Sequence, residues 1–311
     1  MSTEQMRPKI PQDAIELYNK YIHFEIDRRD FIEGVQKFAV VGLTATAIID
    51  ALMPNYAAGQ IVRKDDERIK ASYVTVPSPT GHGNIKGYFV RPDSGNSRSE
   101  MPNKLPGILV IHENRGLNPH TEDIARRFAL ENFNVFAPDA LSSVGGYPGD
   151  DYRGGQLFGK IDRPKLMQDF VAAAQWLKGR PDGNGRIGVT GFCFGGGISN
   201  TLATLMGPDL AAAAPFYGGA PMAADVPKIK AAILVHHGGL DKALVDAFPA
   251  YEAAMKANKV TYEGHIWPNS LHGFMNDATP ERLNRAAADA AWKRTVEWFN
   301  QYVRNAGTSS N

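Results

Sequence analysis

The sequence predicts an α/β protein, a mainly parallel sheet with helices on both faces, preceded by an N-terminal helical extension. Three observations predict it. Short continuous apolar runs bounded by turn residues recur from residue 107 onward, as expected of strands buried on both faces. Segments with apolar residues at helical spacing alternate with these runs, and that is the order of a helix-covered parallel sheet. The first 60 residues lack the alternation and read as helical.

In the extension, Ile15, Leu17, Tyr18, Tyr21, Ile22 and Phe24 suggest one short helix. An apolar run from Phe38 to Leu52 suggests a second, amphipathic from about Asp30 to Leu52 and closed by Pro54-Asn55. The same segment has another reading. Arg28-Arg29-Asp30-Phe31-Ile32 ahead of the apolar run is similar to a twin-arginine export signal, with Ala57-Ala58-Gly59 as a candidate processing site. The chain is periplasmic under that reading and cytoplasmic under the other. No stable membrane span is expected, because the uncharged stretch is shorter than ~20 residues. The boundaries are then 1–60 for the extension and 61–311 for the main domain.

Tyr73–Val76 and Gly87–Val90 are β-rich runs around the turn cluster Pro-Ser-Pro-Thr-Gly-His-Gly, and they read as a hairpin. Residues 94–106 read as a polar loop. Strands are then predicted at Gly107–His112, Asn134–Ala137, Ile187–Thr190, Ala211–Phe216, Ala232–His236 and Thr261–Ile266. Helices are predicted at Thr121–Asn132, Arg163–Lys178, Gly195–Met206, near Asp246–Asn258, and at Pro280–Val303. In such a sheet, active residues belong on loops at the carboxyl ends of the strands.

Composition narrows the function classes. The chain has 311 residues, 43% hydrophobic and 22% charged, with 34 basic against 33 acidic residues. This balance gives no electrostatic case for a nucleic acid or an anionic membrane as partner. One cysteine excludes an intramolecular disulfide and a multi-cysteine zinc site. His236 and His237 are adjacent on a predicted strand, so they point to opposite faces and do not form a metal pair. No metal or organic cofactor is implied.

The sharpest motif is Gly191-Phe192-Cys193-Phe194-Gly195, between a predicted strand and a predicted helix. It is the cysteine form of the Gly-x-Ser-x-Gly elbow. The nucleophile of such an elbow sits on a strained turn, and side chains at 191 or 195 would clash there. The helix start beside Cys193 favours its thiolate. A Walker loop is excluded because no Gly-Lys-Ser/Thr follows. Read alone, Cys193 is also compatible with a small buried hydrophobe.

Its partners follow in the order acid, then base. Asp241 ends the run Ile233–Leu240 on a glycine-rich loop after a strand, and His272 lies on the loop after Ile266. Asp246 is a rival acid, placed where the next helix should start and so explained by capping. An earlier loop, His112-Glu113-Asn114-Arg115-Gly116, follows the first apolar strand. Such a loop gives one oxyanion-hole amide and the residue after the nucleophile gives the other, here the backbone N–H groups of Asn114 and Phe194. Glu113 would lie near the thiol.

Together these residues resemble the dienelactone hydrolase (carboxymethylenebutenolidase) family of the α/β-hydrolase superfamily, over residues 72–303. The marks are His-Glu-Asn-Arg-Gly at 112–116, Ala-Pro-Asp at 137–139, Gly-Phe-Cys-Phe-Gly-Gly-Gly at 191–197, His-Gly-Gly-Leu-Asp at 237–241 and Leu-His-Gly-Phe at 271–274. The resemblance implies a Cys193–His272–Asp241 triad that hydrolyses an ester or lactone, and a Glu113 carboxylate that controls the thiol proton. It also implies two arginines on the substrate carboxylate, one after the Pro-Asp loop and one four residues beyond the histidine. Here the second position is Asn276, and the loop from Ala140 through Tyr147 has no arginine until Arg153. Arg115, Tyr147, Arg153 and Asn276 are therefore the substrate-binding candidates, with Arg163 a further cation. Two alternatives accompany the hydrolase reading. One is a thiol sensor or ligand-binding protein without turnover. The other, compatible with hydrolysis, is a homo-oligomer in which the extension wraps a neighbouring subunit.

Overall fold

The computed structural model describes residues 10–22, 25–40, 43–93 and 104–304. Phe24, residues 41–42 of the apolar run and residues 94–103 of the polar loop lie outside them. An eight-stranded sheet runs in the order β1-β2-β4-β3-β5-β6-β7-β8. The hairpin of β1 (Ile69–Ser78) and β2 (Gly83–Pro92) is antiparallel, and β2 also pairs antiparallel with β4 (Asn134–Pro138). From β4 onward neighbours are parallel, through β3 (Leu105–Ile111), β5 (Gly183–Phe192), β6 (Ala212–Phe216), β7 (Ala232–Gly238) and β8 (Tyr262–Trp267). This is the mainly parallel sheet that the apolar runs predict. β3, β4, β6 and β7 are buried along their whole length, whereas β8, at the edge, is not.

Helices cover both faces. On one, α6 (Arg163–Lys178), α7 (Phe194–Leu205) and α8 (Lys242–Ala257) pack with Leu109, Val189 and Ile233. On the other, α4 (Pro119–Leu130) and α9 (Arg285–Phe299) pack with Ile108, Val110 and Leu234. The bounds of α6 match those predicted, because Asp162 caps its start and Lys178-Gly179 ends it. At α8 the prediction is corrected. The helix begins at Lys242, and Asp246 lies inside it as the solvent-facing partner of Lys242 at 2.5 Å rather than as its cap. α5 (Asp151–Phe158) was not predicted, since Gly154-Gly155 obscures the helical pattern. Gly154 is required there, because a side chain would strike the carbonyl of Arg115.

The extension forms α1 (Gln12–Ile22), α2 (Arg28–Gln36) and α3 (Ala45–Leu52). The single amphipathic helix expected over 30–52 is thus two. An isolated bridge pairs Val40 with Leu43, and Thr44 restarts the helix by accepting the Ala47 N–H at 3.1 Å. A capping residue inside an apolar run favours a new start over continuation. The three helices share a small core of Ile15, Tyr18, Tyr21, Phe31, Val35, Ile48 and Leu52, against which Tyr152 and Leu271 of the main domain pack. Among the described residues, no helix is long and apolar enough to cross a membrane.

Candidate active site

Cys193 stands between β5 and α7 with φ 55° and ψ −113°. Left-handed φ at a residue with a side chain is strained, and the surrounding glycines are what allow it. A Cβ on Gly191 would strike the Gly195 carbonyl, one on Gly195 the Ile111 carbonyl, and one on Gly196 the Phe216 carbonyl. Backbone therefore packs on backbone on three sides of the turn. The Cys193 N–H is anchored on the Phe216 carbonyl at 3.1 Å, and its own carbonyl receives the Gly197 N–H at 3.1 Å. Phe194 is the first residue of α7, so its N–H has no acceptor within the helix.

Asp241 and His272 meet because two loops pack backbone to backbone. A Cβ on Gly238 would lie 2.5 Å from the Ser270 carbonyl oxygen, and one on Gly239 would lie 2.9 Å from that of Trp267. Without those side chains, Gly239 N–H reaches the Trp267 carbonyl at 2.7 Å and Leu240 N–H that of Ser270 at 2.9 Å. The result places Asp241 Oδ2 2.6 Å from His272 Nδ1. His272 and Cys193 line one cavity and interact electrostatically. Burial works against protonating His272, but the Cys193 thiolate and the bond to Asp241 raise its pKa to about 10. Burial likewise works against ionising Asp241, yet His272 holds its pKa below the usual carboxylate value.

The 112–116 loop closes the other side. His112 is fully buried, and its Nε2 accepts the Ala140 N–H at 3.0 Å. The Ala-Pro-Asp mark has a structural task. The Asp139 carboxylate accepts the N–H groups of Leu117 at 3.2 Å, Leu141 at 3.0 Å and Tyr147 at 2.8 Å, so it ties this loop to the next one. Glu113, Asn114 and Arg115 then line one cavity with Cys193 and His272. Asn276 lines it as well.

Three other candidates fall elsewhere. Arg153 is exposed on α5 and is not part of the cavity wall. Tyr147 donates to Asp151 at 2.8 Å and lines a separate cavity with Tyr73, Lys86 and Glu122. Arg163 stacks on the Phe158 ring at 4.1 Å and the Phe194 ring at 5.5 Å, behind the elbow. His236 and His237 do point apart, toward Thr295 on α9 and Phe248 on α8.

Sequence reasoning missed three contributors. Arg282, only 5% exposed, lines the Cys193 cavity, and its Nε has no hydrogen-bond partner among the described residues. Tyr217 is buried with φ 37°, its ring 4.9 Å from that of His272 and its hydroxyl likewise unpartnered. Its place just past β6, at the carboxyl edge of the sheet, was the available signal. The third contributor is the extension. Tyr18, Ile22 and Pro54 complete the wall around Cys193.

Comparison with known proteins identifies the family and the fold. The sequence profile of the dienelactone hydrolase family matches residues 86–303. A provisionally named carboxymethylenebutenolidase of Escherichia coli O157:H7 is 30% identical over 261 residues, 79% of this chain and 92% of that one. The hydrolase fragment YghX of Escherichia coli K12, also provisionally named, is 49% identical over 120 residues, 39% of this chain and 97% of that one. Among solved structures, a provisionally named dienelactone hydrolase from Klebsiella pneumoniae aligns with TM-score 0.65 and 26% identity, over 75% of this chain and 99% of that one.

Proposed function

The chain belongs to the dienelactone hydrolase family, and from that premise we propose that it cleaves an ester or lactone through a Cys193–His272–Asp241 triad and an acyl-enzyme. The observation that supports this most is that the strained Cys193 shares one cavity with His272, whose Nδ1 lies 2.6 Å from Asp241 Oδ2. A nucleophile beside a base that a third group orients is the arrangement such chemistry needs.

In this reading the Cys193 thiolate attacks the substrate carbonyl carbon. The carbonyl electron pair moves to oxygen, where the N–H groups of Phe194 and Asn114 receive it. Collapse expels the alkoxide or enolate, which takes a proton from His272 and leaves a thioester on Cys193. His272, now neutral, takes a proton from water, and the hydroxide releases the acid and restores the thiolate. His272 changes character at the right moment. The thiolate is the largest of the influences that raise its pKa, and acylation removes that charge. Its proton affinity falls as it must give its proton to the leaving group. Glu113, on the same cavity wall, shares control of the thiol proton. The buried Arg282 guanidinium is the cation best placed for a substrate carboxylate. A thiol sensor without turnover would not need His272 and Asp241 in register, and no observation favours it.

The test is hydrolysis of a small activated ester and of an enol-lactone by the wild type and by Cys193→Ala. Turnover should be lost in the variant while its circular dichroism and melting temperature stay intact. Equal rates in both proteins would remove Cys193 from the mechanism.

A further inference from the structure

The wall around Cys193 is built partly by a helix outside the family match. That match begins at residue 86, yet Tyr18 and Ile22 of α1, one turn apart, face the cavity that holds Cys193 and His272. α1 is held there by its own C-terminal end. The Ile22 carbonyl accepts Arg115 Nη2 at 2.6 Å and Asn114 Nδ2 at 3.2 Å, which places a cation where the helix dipole is negative. The Tyr18 ring packs 5.3 Å from the Arg282 guanidinium. What remains over Cys193 is a cavity of about 20 Å³, room for about one water molecule.

The neighbouring stripe of α1 faces a different space. Gln12, Glu16 and Asn19 line a groove of about 510 Å³ with Leu240, Asp241 and His272. Asn19 Oδ1 is buried there without a hydrogen-bond partner among the described residues. His272 is common to both spaces, and α1 lies between them. The two parts of an ester are thereby sorted. Cys193 lines only the smaller space, so the acyl group that it carries belongs under Tyr18, and the larger space beside His272 is left for the alcohol part.

We propose that α1 determines the specificity of the Cys193 site: Tyr18 and Ile22 restrict the acyl part to a few heavy atoms, while the groove lined by Gln12, Glu16 and Asn19 accepts a larger, polar alcohol part. The proposal rests on the hydrolase reading above, so its test carries one arm that needs no turnover.

The turnover arm measures kcat/KM for p-nitrophenyl acetate, butyrate and octanoate with the full chain, Tyr18→Ala and the milder Tyr18→Leu. The wild type should lose rate steeply with acyl length. The variants should raise the octanoate-to-acetate ratio by about tenfold or more, as a pocket does when it gains space for methylenes. The second arm uses Cys193 as the single cysteine of the chain. Its alkylation by iodoacetamide and by N-(1-pyrenyl)maleimide is followed by mass, and the bulky-to-small rate ratio should also rise about tenfold in the variants. Unchanged ratios in both arms, in variants whose melting is cooperative, overturn the proposal, and so does a wild type that prefers octanoate. A shifted alkylation ratio in a protein that hydrolyses none of the esters supports the wall formed by α1 and counts against the hydrolase reading instead.

Discussion

The carbonyl oxygen of Ile22, the last residue of α1, accepts a hydrogen bond from Arg115 Nη2 at 2.6 Å. Arg115 sits between Asn114, whose N–H we propose for the oxyanion, and Gly116, whose φ of 92° turns the loop. Asn114 Nδ2 donates to the same oxygen at 3.2 Å, so extension and active-site loop are joined there. A second tie lies nearby, where Tyr56 donates to Asp151 at 2.6 Å and Asn118 donates to Tyr56 at 2.8 Å.

Arg115→Ala should release α1. The Ile22 carbonyl would keep only the longer bond from Asn114, and loss of the charge-assisted bond from Arg115 costs about 1.5–3 kcal/mol. Urea unfolding should show a loss of that order, and limited proteolysis should cut within the extension sooner than in the wild type. A variant with unchanged stability and proteolysis, but a raised KM for anionic esters, would show that Arg115 serves the substrate instead.

Gly238→Ala tests the packing of the two catalytic loops. The added Cβ would lie 2.5 Å from the Ser270 oxygen, so the loops must part and the Asp241–His272 bond lengthen. Displacement of a catalytic group by about 1 Å can cost about a hundredfold in rate. The expected result is a large fall in kcat with a modest fall in melting temperature. Full activity in this variant would show that the loops tolerate separation.

The raised pKa of His272 predicts the pH behaviour of the thiol. The Cys193 thiolate is the largest influence raising the His272 pKa to about 10, so the protonated ring should in turn favour the thiolate at pH values below the ordinary thiol pKa of about 8.5. Alkylation by iodoacetamide should therefore be nearly independent of pH from about 7 to 9. In His272→Ala it should rise with pH as an ordinary thiol does. Once Cys193 is alkylated, the largest influence raising the His272 pKa is gone, and NMR titration of the ring should show its pKa fall. A pKa unmoved by alkylation would contradict the assigned cause.

Arg282→Met should separate anionic from neutral substrates. The guanidinium is buried beside Cys193, its Nε unpartnered among the described residues, and loss of a charge-assisted bond is worth about 1.5–3 kcal/mol. KM for an ester with a carboxylate on its acyl side should rise about tenfold or more, with little change for a neutral ester of similar size. Equal effects on the two would assign Arg282 to packing against Tyr18.

Much of this architecture is legible in residue order. Continuous apolar runs such as Gly107–His112 and Ala232–His236 mark buried strands, because only strands covered on both faces can be apolar throughout. Cys193, Asp241 and His272 could be chosen because each lies just past such a strand, where a parallel sheet collects its functional loops. Glycines at 191, 195 and 238 mark close backbone approaches for the same local reason. What tertiary structure alone decided is everything that depends on side-chain direction and long-range docking. Arg153 is near the site in sequence and faces solvent, whereas Arg282 carries no motif and returns to the cavity by the turns after His272. Tyr18 and Ile22 read only as one face of a short helix. Their place beside Cys193 depends on hydrogen bonds to Asn114 and Arg115, more than 90 residues away in the chain, and no local periodicity encodes where a helix will dock.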